Sequence, residues 1–370
     1  MDHLEYDAPG GLIERVRVPL ETEAWRMLRE GVADPGIIDH LSRTALGIEE
    51  GLLSRIRRDG PLERADVVRD LTEATMGDAR FRPLADVFPP EGPGSIWEML
   101  DDSAEPFADG IASELPEKVL VIGTPHLAEL WQNRIYEGSK GQSSVEIWPL
   151  WDMTSVQEED WKRIVKSGPW DVLVEVLVGP GDERRALLEL LAPQMTKNGQ
   201  VWVHTLNLPA TVTVQVVPEN LVAVGFGGIP NRSGEPSIEL MLPRNSDASD
   251  LVRAAGTASA LGMVPYEISD EPGGVGARLL ATLINSTSYL VREGIVASEG
   301  VADREVKNSL ELEEGPFAIA DEIGLDTVEG VTLGLRAHLG EERYRVCPML
   351  TMRIEAGQLG RTTNGGFYVP

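Results

Sequence analysis

The chain has 370 residues, of which 42% are hydrophobic, and a net charge of −27 from 33 basic and 60 acidic side chains. This length suffices for two or three domains with hydrophobic cores. The negative charge repels other polyanions, which argues against nucleic acids and anionic membrane surfaces as partners. A single cysteine, Cys347, excludes an internal disulfide and any site built from several thiolates.

Two further features concern location. No apolar run is long enough to cross a bilayer, and the first residues lack the basic and apolar regions of a signal peptide. We therefore expect a cytoplasmic protein that binds neither membranes nor nucleic acids.

The first part of the chain, residues 1–90, predicts a helical domain. Leu20, Ala24 and Leu28 recur at the spacing of one helix face. Gly31 follows at a place where a left-handed residue commonly ends a helix. Beyond this domain, residues 91–116 are rich in proline, glycine and acidic side chains and predict a linker.

The middle of the chain predicts an α/β domain over residues 117–269. Short apolar runs predict five strands, at residues 118–123, 145–150, 171–178, 200–204 and 220–225. Helical patterns fall between several of them. This alternation is typical of a parallel sheet of Rossmann type.

The turn after the first strand bears on dinucleotide binding. A dinucleotide fingerprint would place glycine at 123, 125 and 128, but only Gly123 is present, with Pro125 and Ala128 at the other positions. Proline also removes an N–H group that would face the pyrophosphate. Glu146 and Asp152 are the candidates for the acidic residue that binds the ribose. We predict a Rossmann-like scaffold with a degenerate cofactor loop.

Three motifs toward the C-terminus carry a family resemblance. They are D-E-P-G-G-V-G-A-R-L-L at 270–280, G-P-F-A-I-A-D at 315–321 and G-R-T-T-N-G-G-F-Y at 360–368. Their order and spacing resemble the C-terminal helical domain of the NAD-dependent 3-hydroxyacyl-CoA dehydrogenase family. The resemblance implies a family-type helical domain over residues 270–370.

The same domain type has a second, partial match near the N-terminus. Segments repeat at an offset of 263 residues: 7–15 with 270–278, 28–31 with 291–294, and 77–82 with 340–345. A fourth pair, 60–66 with 315–321, has an offset of 255 and would need about eight extra residues in the first copy. We interpret residues 1–90 as a truncated copy that lacks the final motif.

The resemblance also has a consequence for assembly. In the family, the helical domains mediate dimerisation. Two copies in one chain would therefore form either an intramolecular pseudo-dimer or a homodimer through these domains.

The resemblance locates the family's catalytic positions. Pro230 aligns with the proline of the family's H-F-F-N-P run, which places Phe226 at the position of the histidine that acts as the base. Phenylalanine cannot accept a proton. Glu239 matches the glutamate that orients this histidine. We expect the family's usual base chemistry to be lost.

Other family positions also differ. The asparagine before the R-L-L run is Ala277, and the substrate-contacting serine corresponds to Leu206 or Asn207. Glu175 does match a family glutamate, so Glu175 and Gly123 are the candidates for what remains of a cofactor site. We expect no bound cofactor, with NAD as the alternative, and the five histidines show no metal-ligand spacing.

His204 is a candidate replacement base because it ends a predicted strand at the edge where ligands lie in open α/β folds. It could form an acid–base couple with Glu239, or simply bond to backbone. Three functions remain open: a protein that binds an acyl thioester or a partner protein, an enzyme that catalyses an altered reaction through His204 and Glu239, and an NAD-dependent dehydrogenase.

Overall fold

The computed structural model describes residues 11–84, 86–92, 95–100, 104–107, 114–230, 234–363 and 365–368. The chain divides into two compact units. The first contains Met1–Ala104 and Arg278–Pro370, and the second contains Glu105–Ala277. None of the helices within the described ranges combines the length and apolar character that a bilayer-spanning segment needs.

The α-helices of the described residues are numbered in chain order. They are α1 Glu14–Glu30, α2 Pro35–Leu46, α3 Leu52–Arg58, α4 Pro61–Ala74, α5 Pro125–Gly138, α6 Glu158–Ser167, α7 Gly181–Leu191, α8 Ala210–Thr213, α9 Ala248–Ala260, α10 Gly276–Arg292, α11 Glu299–Leu310, α12 Pro316–Ile323, α13 Leu325–Leu339 and α14 Pro348–Glu355.

The second unit is built on one twisted sheet. Its strands are β1 Lys118–Gly123, β2 Ser144–Pro149, β3 Trp170–Val176, β4 Met195–His204, β5 Val222–Gly227, β6 Ser237–Met241 and β7 Val264–Ile268. Their order across the sheet is β2-β1-β3-β4-β5-β6-β7. All neighbours are parallel except β5 and β6, which are antiparallel.

The predicted Rossmann-like α/β sheet is confirmed, and the five predicted strands correspond to β1–β5. These five strands pair in parallel, as predicted, and the antiparallel strand β6 was not predicted. The segment between β5 and β6, residues 228–236, is shorter than the roughly twelve residues that a crossover between parallel strands needs. The chain therefore turns back on itself there.

Side-chain alternation divides the second unit into two cores. On one face of the sheet, Leu173 and Val203 pack against Leu187 and Leu188 of α7. On the other face, the aromatic rings of His204, Phe226 and Trp202 cluster, and Trp131 of α5 packs against the first two. The face to which a residue belongs decides which groups its side chain can reach.

The first unit is helical. The helix predicted around Leu20 is α1, and Gly31 ends it with φ at 71°, as predicted. The Val32 N–H donates to the Met27 carbonyl at 2.9 Å, which is the closing bond of a Schellman motif. Residues 7–10 of the first repeated segment lie outside the described residues.

Part of the segment predicted as a linker packs into the first unit. Trp97 is 1% exposed, and its ring stacks on Trp25 with centroids 5.5 Å apart. Its Nε1–H donates to the Pro89 carbonyl at 2.7 Å. Residues 93–94, 101–103 and 108–113 of the predicted linker lie outside the described residues.

The C-terminal motifs are linked by hydrogen bonds. Asp321 accepts the backbone N–H groups of Phe367 and Tyr368, each at 2.8 Å. The Tyr368 hydroxyl donates to Asp303 at 2.7 Å, and the Phe317 and Phe367 rings stack with centroids 4.0 Å apart. The G-P-F-A-I-A-D helix and the G-G-F-Y tail therefore form one structural element.

Candidate functional site

The carboxyl ends of the parallel strands are the place where open α/β sheets bind ligands. Gly123, Glu175 and His204, three of the predicted site residues, lie at or near this edge, at the ends of β1, β3 and β4. Glu239 lies on β6, which runs antiparallel to β5.

Gly123 allows the end of β1 to approach β3 closely. Its φ is 137°, and a Cβ there would lie 2.4 Å from the Leu177 nitrogen and 2.5 Å from the Val176 carbonyl carbon. The Val178 N–H donates to the Thr124 hydroxyl at 2.9 Å, which ties the turn to the end of β3. The glycine is therefore required by strand packing whether or not a phosphate binds.

The rest of the turn does not fit the pyrophosphate of a dinucleotide. Pro125 is the first residue of α5 and supplies no N–H group. The loop after β2 returns to the turn, where the Leu150 N–H donates to the Gly123 carbonyl at 2.8 Å. His126 is 2% exposed and lies edge-on to Trp151, with ring centroids 6.1 Å apart.

The two candidate ribose-binding acids make local bonds. Glu146 accepts the Trp148 Nε1–H at 2.9 Å. Asp152 accepts the backbone N–H of Thr154 at 2.8 Å and its hydroxyl at 2.6 Å. Both carboxylates thus stabilise their own segments.

Glu175 forms a buried ion pair. Its carboxylate lies 2.5 Å from Arg184 Nη2, and both side chains are 0% exposed. Glu175 also accepts the Leu177 N–H at 2.7 Å, and Arg184 donates to the His204 carbonyl at 2.6 Å. The pair therefore connects α7 to the ends of β3 and β4, and Glu175 has no oxygen turned to solvent.

His204 is fully packed. Its side chain is 1% exposed, and Nε2 lies 2.8 Å from the Gly228 carbonyl oxygen. Its ring centroid is 4.5 Å from that of Phe226 and 5.9 Å from that of Trp131. Burial lowers the pKa of His204 to about 3, so the ring is neutral at physiological pH.

Glu239 is a buried carboxyl at the beginning of α10. It is 1% exposed and accepts the backbone N–H groups of Val275 at 2.9 Å and Gly276 at 2.8 Å. Burial raises the pKa of Glu239 to about 7, although the two backbone donors lower it. Both states of the carboxyl are therefore populated near neutral pH.

The strand register separates His204 from Glu239. His204 pairs with Phe226, and Phe226 pairs with Leu240. Because paired residues share a face and neighbours along a strand alternate, Glu239 points to the opposite face from His204. The predicted His204–Glu239 couple is not formed; each side chain instead bonds to backbone.

The register also shows which residue of β5 lies opposite Glu239. Gly227, not Phe226, pairs with Glu239, and a Cβ at Gly227 would lie 2.6 Å from the Glu239 carboxylate. Phe226 is 0% exposed and packs on the other face. Neither Phe226 nor Gly227 has a side chain that can accept a proton.

The remaining aligned positions are also structural. Ala277 and Leu206 are buried, and Asn207 donates from Nδ2 to the Gly179 carbonyl at 3.0 Å. Within the described parts of the chain, no group of three or more His, Cys, Asp or Glu side chains is arranged to hold a metal ion.

Sequence analysis did not single out Arg184. It precedes Leu187, Leu188 and Leu191 at spacings of three, four and seven, so it falls on the buried stripe of α7. An arginine on an apolar stripe indicates that its charge has a buried acidic partner. Glu175, in an otherwise apolar strand, could have been identified as that partner from the sequence.

The chain is similar in sequence to known dehydrogenases of acyl-CoA substrates. The family model described as the C-terminal domain of 3-hydroxyacyl-CoA dehydrogenase matches residues 273–369. A probable 3-hydroxybutyryl-CoA dehydrogenase of Deinococcus radiodurans is 30% identical over 203 residues, 54% of this chain and 71% of that protein. One of Bacillus subtilis is 32% identical over 168 residues, 45% of this chain and only 57% of that protein.

Two solved structures share the fold. The 3-hydroxybutyryl-CoA dehydrogenase of Escherichia coli has a TM-score of 0.59 at 19% identity, covering 95% of this chain and 61% of that one. FadB2 of M. tuberculosis has a TM-score of 0.54 at 20% identity, covering 70% of this chain and 100% of that one.

Proposed function

We propose that this chain, which belongs to the 3-hydroxyacyl-CoA dehydrogenase family, binds an acyl thioester or a partner protein. We further propose that, unlike a dehydrogenase, it does not transfer hydride to NAD. The observation that carries this proposal is the glycine opposite Glu239. A general base must have an acceptor within hydrogen-bond reach of the proton it removes. At this place in the sheet, the chain offers a carboxyl without the histidine that it would orient.

The cofactor turn supports the same proposal. A dinucleotide needs backbone N–H groups facing its pyrophosphate. Pro125 removes one of them, and Leu150 bonds to the Gly123 carbonyl at 2.8 Å across the turn. The buried pair of Glu175 and Arg184 gives this end of the sheet a structural role that needs no cofactor.

Charge favours one kind of partner. With a net charge of −27, the protein repels free anionic ligands at long range and attracts basic surfaces. A basic partner protein, or a thioester carried by one, is therefore favoured over a free anionic thioester. We keep the cytoplasmic location as a prediction.

A second candidate is an NAD-dependent dehydrogenase. The relatives in Deinococcus radiodurans and Bacillus subtilis are named probable 3-hydroxybutyryl-CoA dehydrogenases at 30% and 32% identity, which favours it. The altered, non-redox reaction through His204 and Glu239 has less support, because the two side chains belong to opposite faces of the sheet.

Titration with NADH and a turnover assay test the proposal together. With the full chain, we expect no change in NADH fluorescence and no oxidation of NADH in the presence of acetoacetyl-CoA. Under the same conditions, a relative with the intact glycine fingerprint should bind NADH and oxidise it. Binding of acetoacetyl-CoA alone is measured in parallel by calorimetry.

A Pro125→Gly/Ala128→Gly variant, which restores the glycine pattern, is the matched control. NADH binding that appears only in this variant supports the argument from the turn. Turnover by the unmodified chain at the relative's rate contradicts the whole proposal and favours the second candidate.

A further inference from the structure

A cleft of about 730 Å³ lies in the second unit, at the amino ends of the parallel strands. Gly123, Glu175 and His204 lie at or near the opposite edge of the sheet and do not line this cleft. Its volume falls within the range of about 300–1,000 Å³ that small-molecule sites occupy. The cleft is therefore large enough for a small organic ligand.

The charged side chains of the cleft are sorted by sign. The acidic wall contains Glu114 and Glu117, which precede β1, and Asp171 at the beginning of β3. The basic wall contains Lys197 of β4 and Arg253 of α9. Since β3 lies between β1 and β4 in the sheet, negative charge is concentrated on one side of the cleft and positive charge on the other.

The basic wall depends on an irregularity in β4. Between the pairs Trp170–Met195 and Val172–Gln200, β4 advances five residues while β3 advances two. Bulges of this kind are common next to functional sites, where they change the direction of a side chain. Here the inserted residues bring Lys197 into the lining of the cleft.

Hydrogen bonds hold both walls in place. Asp171 accepts the backbone N–H groups of Glu117 and Lys118, each at 3.0 Å. On the other side, Arg253 Nη2 donates to the Asn198 carbonyl at 3.0 Å, which ties the insertion in β4 to α9. Because these bonds are made within the protein, the walls need no ligand to position them, and a preformed site spends less binding energy on ordering.

The most buried lining residues form the floor of the cleft. Gln200 is 9% exposed, and its Nε2 donates to the Thr257 hydroxyl at 2.7 Å. Its Oε1 accepts the Trp202 Nε1–H at 2.9 Å. Val172, which is also buried, adds apolar surface. The floor can therefore contact the uncharged middle of a ligand while its ends meet the two walls.

The geometry of the sheet sets the spacing of the charges. Neighbouring strands are about 4.8 Å apart, so β3 lies about 5 Å from β4 and β1 about 10 Å from it. A ligand that meets both walls needs opposite charges separated by roughly 5–10 Å. An α-amino acid carries its amine and carboxylate on one carbon, so its charges are too close together to reach both walls.

We propose that this cleft binds a small zwitterion whose amine and carboxylate are several bonds apart, as in an ω-amino acid. The amine pairs with Glu117 and Asp171, and the carboxylate pairs with Lys197 and Arg253. A ligand without net charge also avoids the long-range repulsion that a protein charge of −27 exerts on anions. The proposal does not rest on the proposed function, because the two concern opposite edges of the sheet.

Saturation-transfer NMR titration of the full chain with 6-aminohexanoate tests the proposal. Norleucine is its isomer with both charged groups on one carbon, and hexanoate and hexylamine each carry only one of the two charges. We expect 6-aminohexanoate to bind about fivefold more tightly than each of these three compounds, which is the largest gain that one additional exposed ion pair usually gives.

Two variants at exposed positions locate the binding. Lys197→Met should lower the preference for 6-aminohexanoate over hexylamine, and Glu117→Gln should lower the preference over hexanoate. Lys307→Met, the same change at an exposed lysine of the first unit, is the matched control and should keep both preferences. The proposal is overturned if 6-aminohexanoate binds no more tightly than norleucine, or if Lys197→Met and Lys307→Met show equal preferences.

Discussion

Replacing Glu175 by glutamine separates a structural role for this residue from a role in cofactor binding. In the structure, Glu175 and Arg184 are both 0% exposed and 2.5 Å apart. The substitution would leave the arginine buried without a counter-charge. Only the amide oxygen would remain to accept the Leu177 N–H, which now lies 2.7 Å from the carboxylate.

The expected loss of stability is large. Removing one partner of a buried ion pair costs about 3–5 kcal/mol, because the remaining charge is uncompensated. Because Arg184 keeps its bond of 2.6 Å to the His204 carbonyl, we expect the lower end, about 3 kcal/mol. The double variant Glu175→Gln/Arg184→Met should recover part of this loss, since it leaves no buried charge.

Guanidinium unfolding followed by tryptophan fluorescence measures the difference. Glu189→Gln, on the exposed side of α7, is the matched control and should change the unfolding free energy by less than about 0.5 kcal/mol. A Glu175→Gln variant with unchanged unfolding free energy would refute the structural interpretation.

Three further predictions concern other parts of the chain. Asp321→Ala removes the acceptor of two backbone N–H groups. Because hydrogen bonds to charged groups contribute about 1.5–3 kcal/mol each, the unfolding free energy should fall by about 3 kcal/mol and the tail should be digested faster by proteases. Equal proteolysis rates would contradict this prediction. Gly274→Ala should destabilise the chain in urea unfolding, because a Cβ would lie 2.0 Å from the Glu239 carboxylate and φ is +52°; an unchanged midpoint would show that the carboxylate can move away. The folded-state pKa of Glu239 is raised from 4.5 to about 7, so its contribution to stability is complete below pH 4.5 and is lost as the pH rises through 7. Relative to a Glu239→Gln variant, the unfolding free energy of the unmodified chain should fall over this range by at most about 3 kcal/mol, and parallel pH profiles would contradict the shift.

Apolar runs were sufficient to predict the central strands but not the last two. β1, β3 and β4 are mostly apolar and continuously buried toward their carboxyl ends, because both faces of the sheet are covered there. β6 carries Glu239 at its centre and β7 contains Pro265, and each of these residues weakens a strand pattern. Proline is tolerated in β7 because this strand is at the edge of the sheet.

The candidate site shows a different limit. The sequence was sufficient to select four candidate residues, Gly123, Glu175, His204 and Glu239. The direction in which each side chain points, however, depends on strand register. The register of β6 against β5 could not be derived from spacing alone, and a shift by one residue moves every side chain to the other face. For this reason the couple of His204 with Glu239 looked plausible in the sequence and is not formed.

The hydrogen bonds that hold the tail have a practical consequence. Asp321 binds main-chain N–H groups of Phe367 and Tyr368, which every residue except proline possesses. Exchanging these side chains would therefore preserve both bonds to Asp321, whereas shortening the polypeptide by a few residues at this end would abolish them. For recombinant work, any truncation that removes Phe367 and Tyr368 should therefore be avoided.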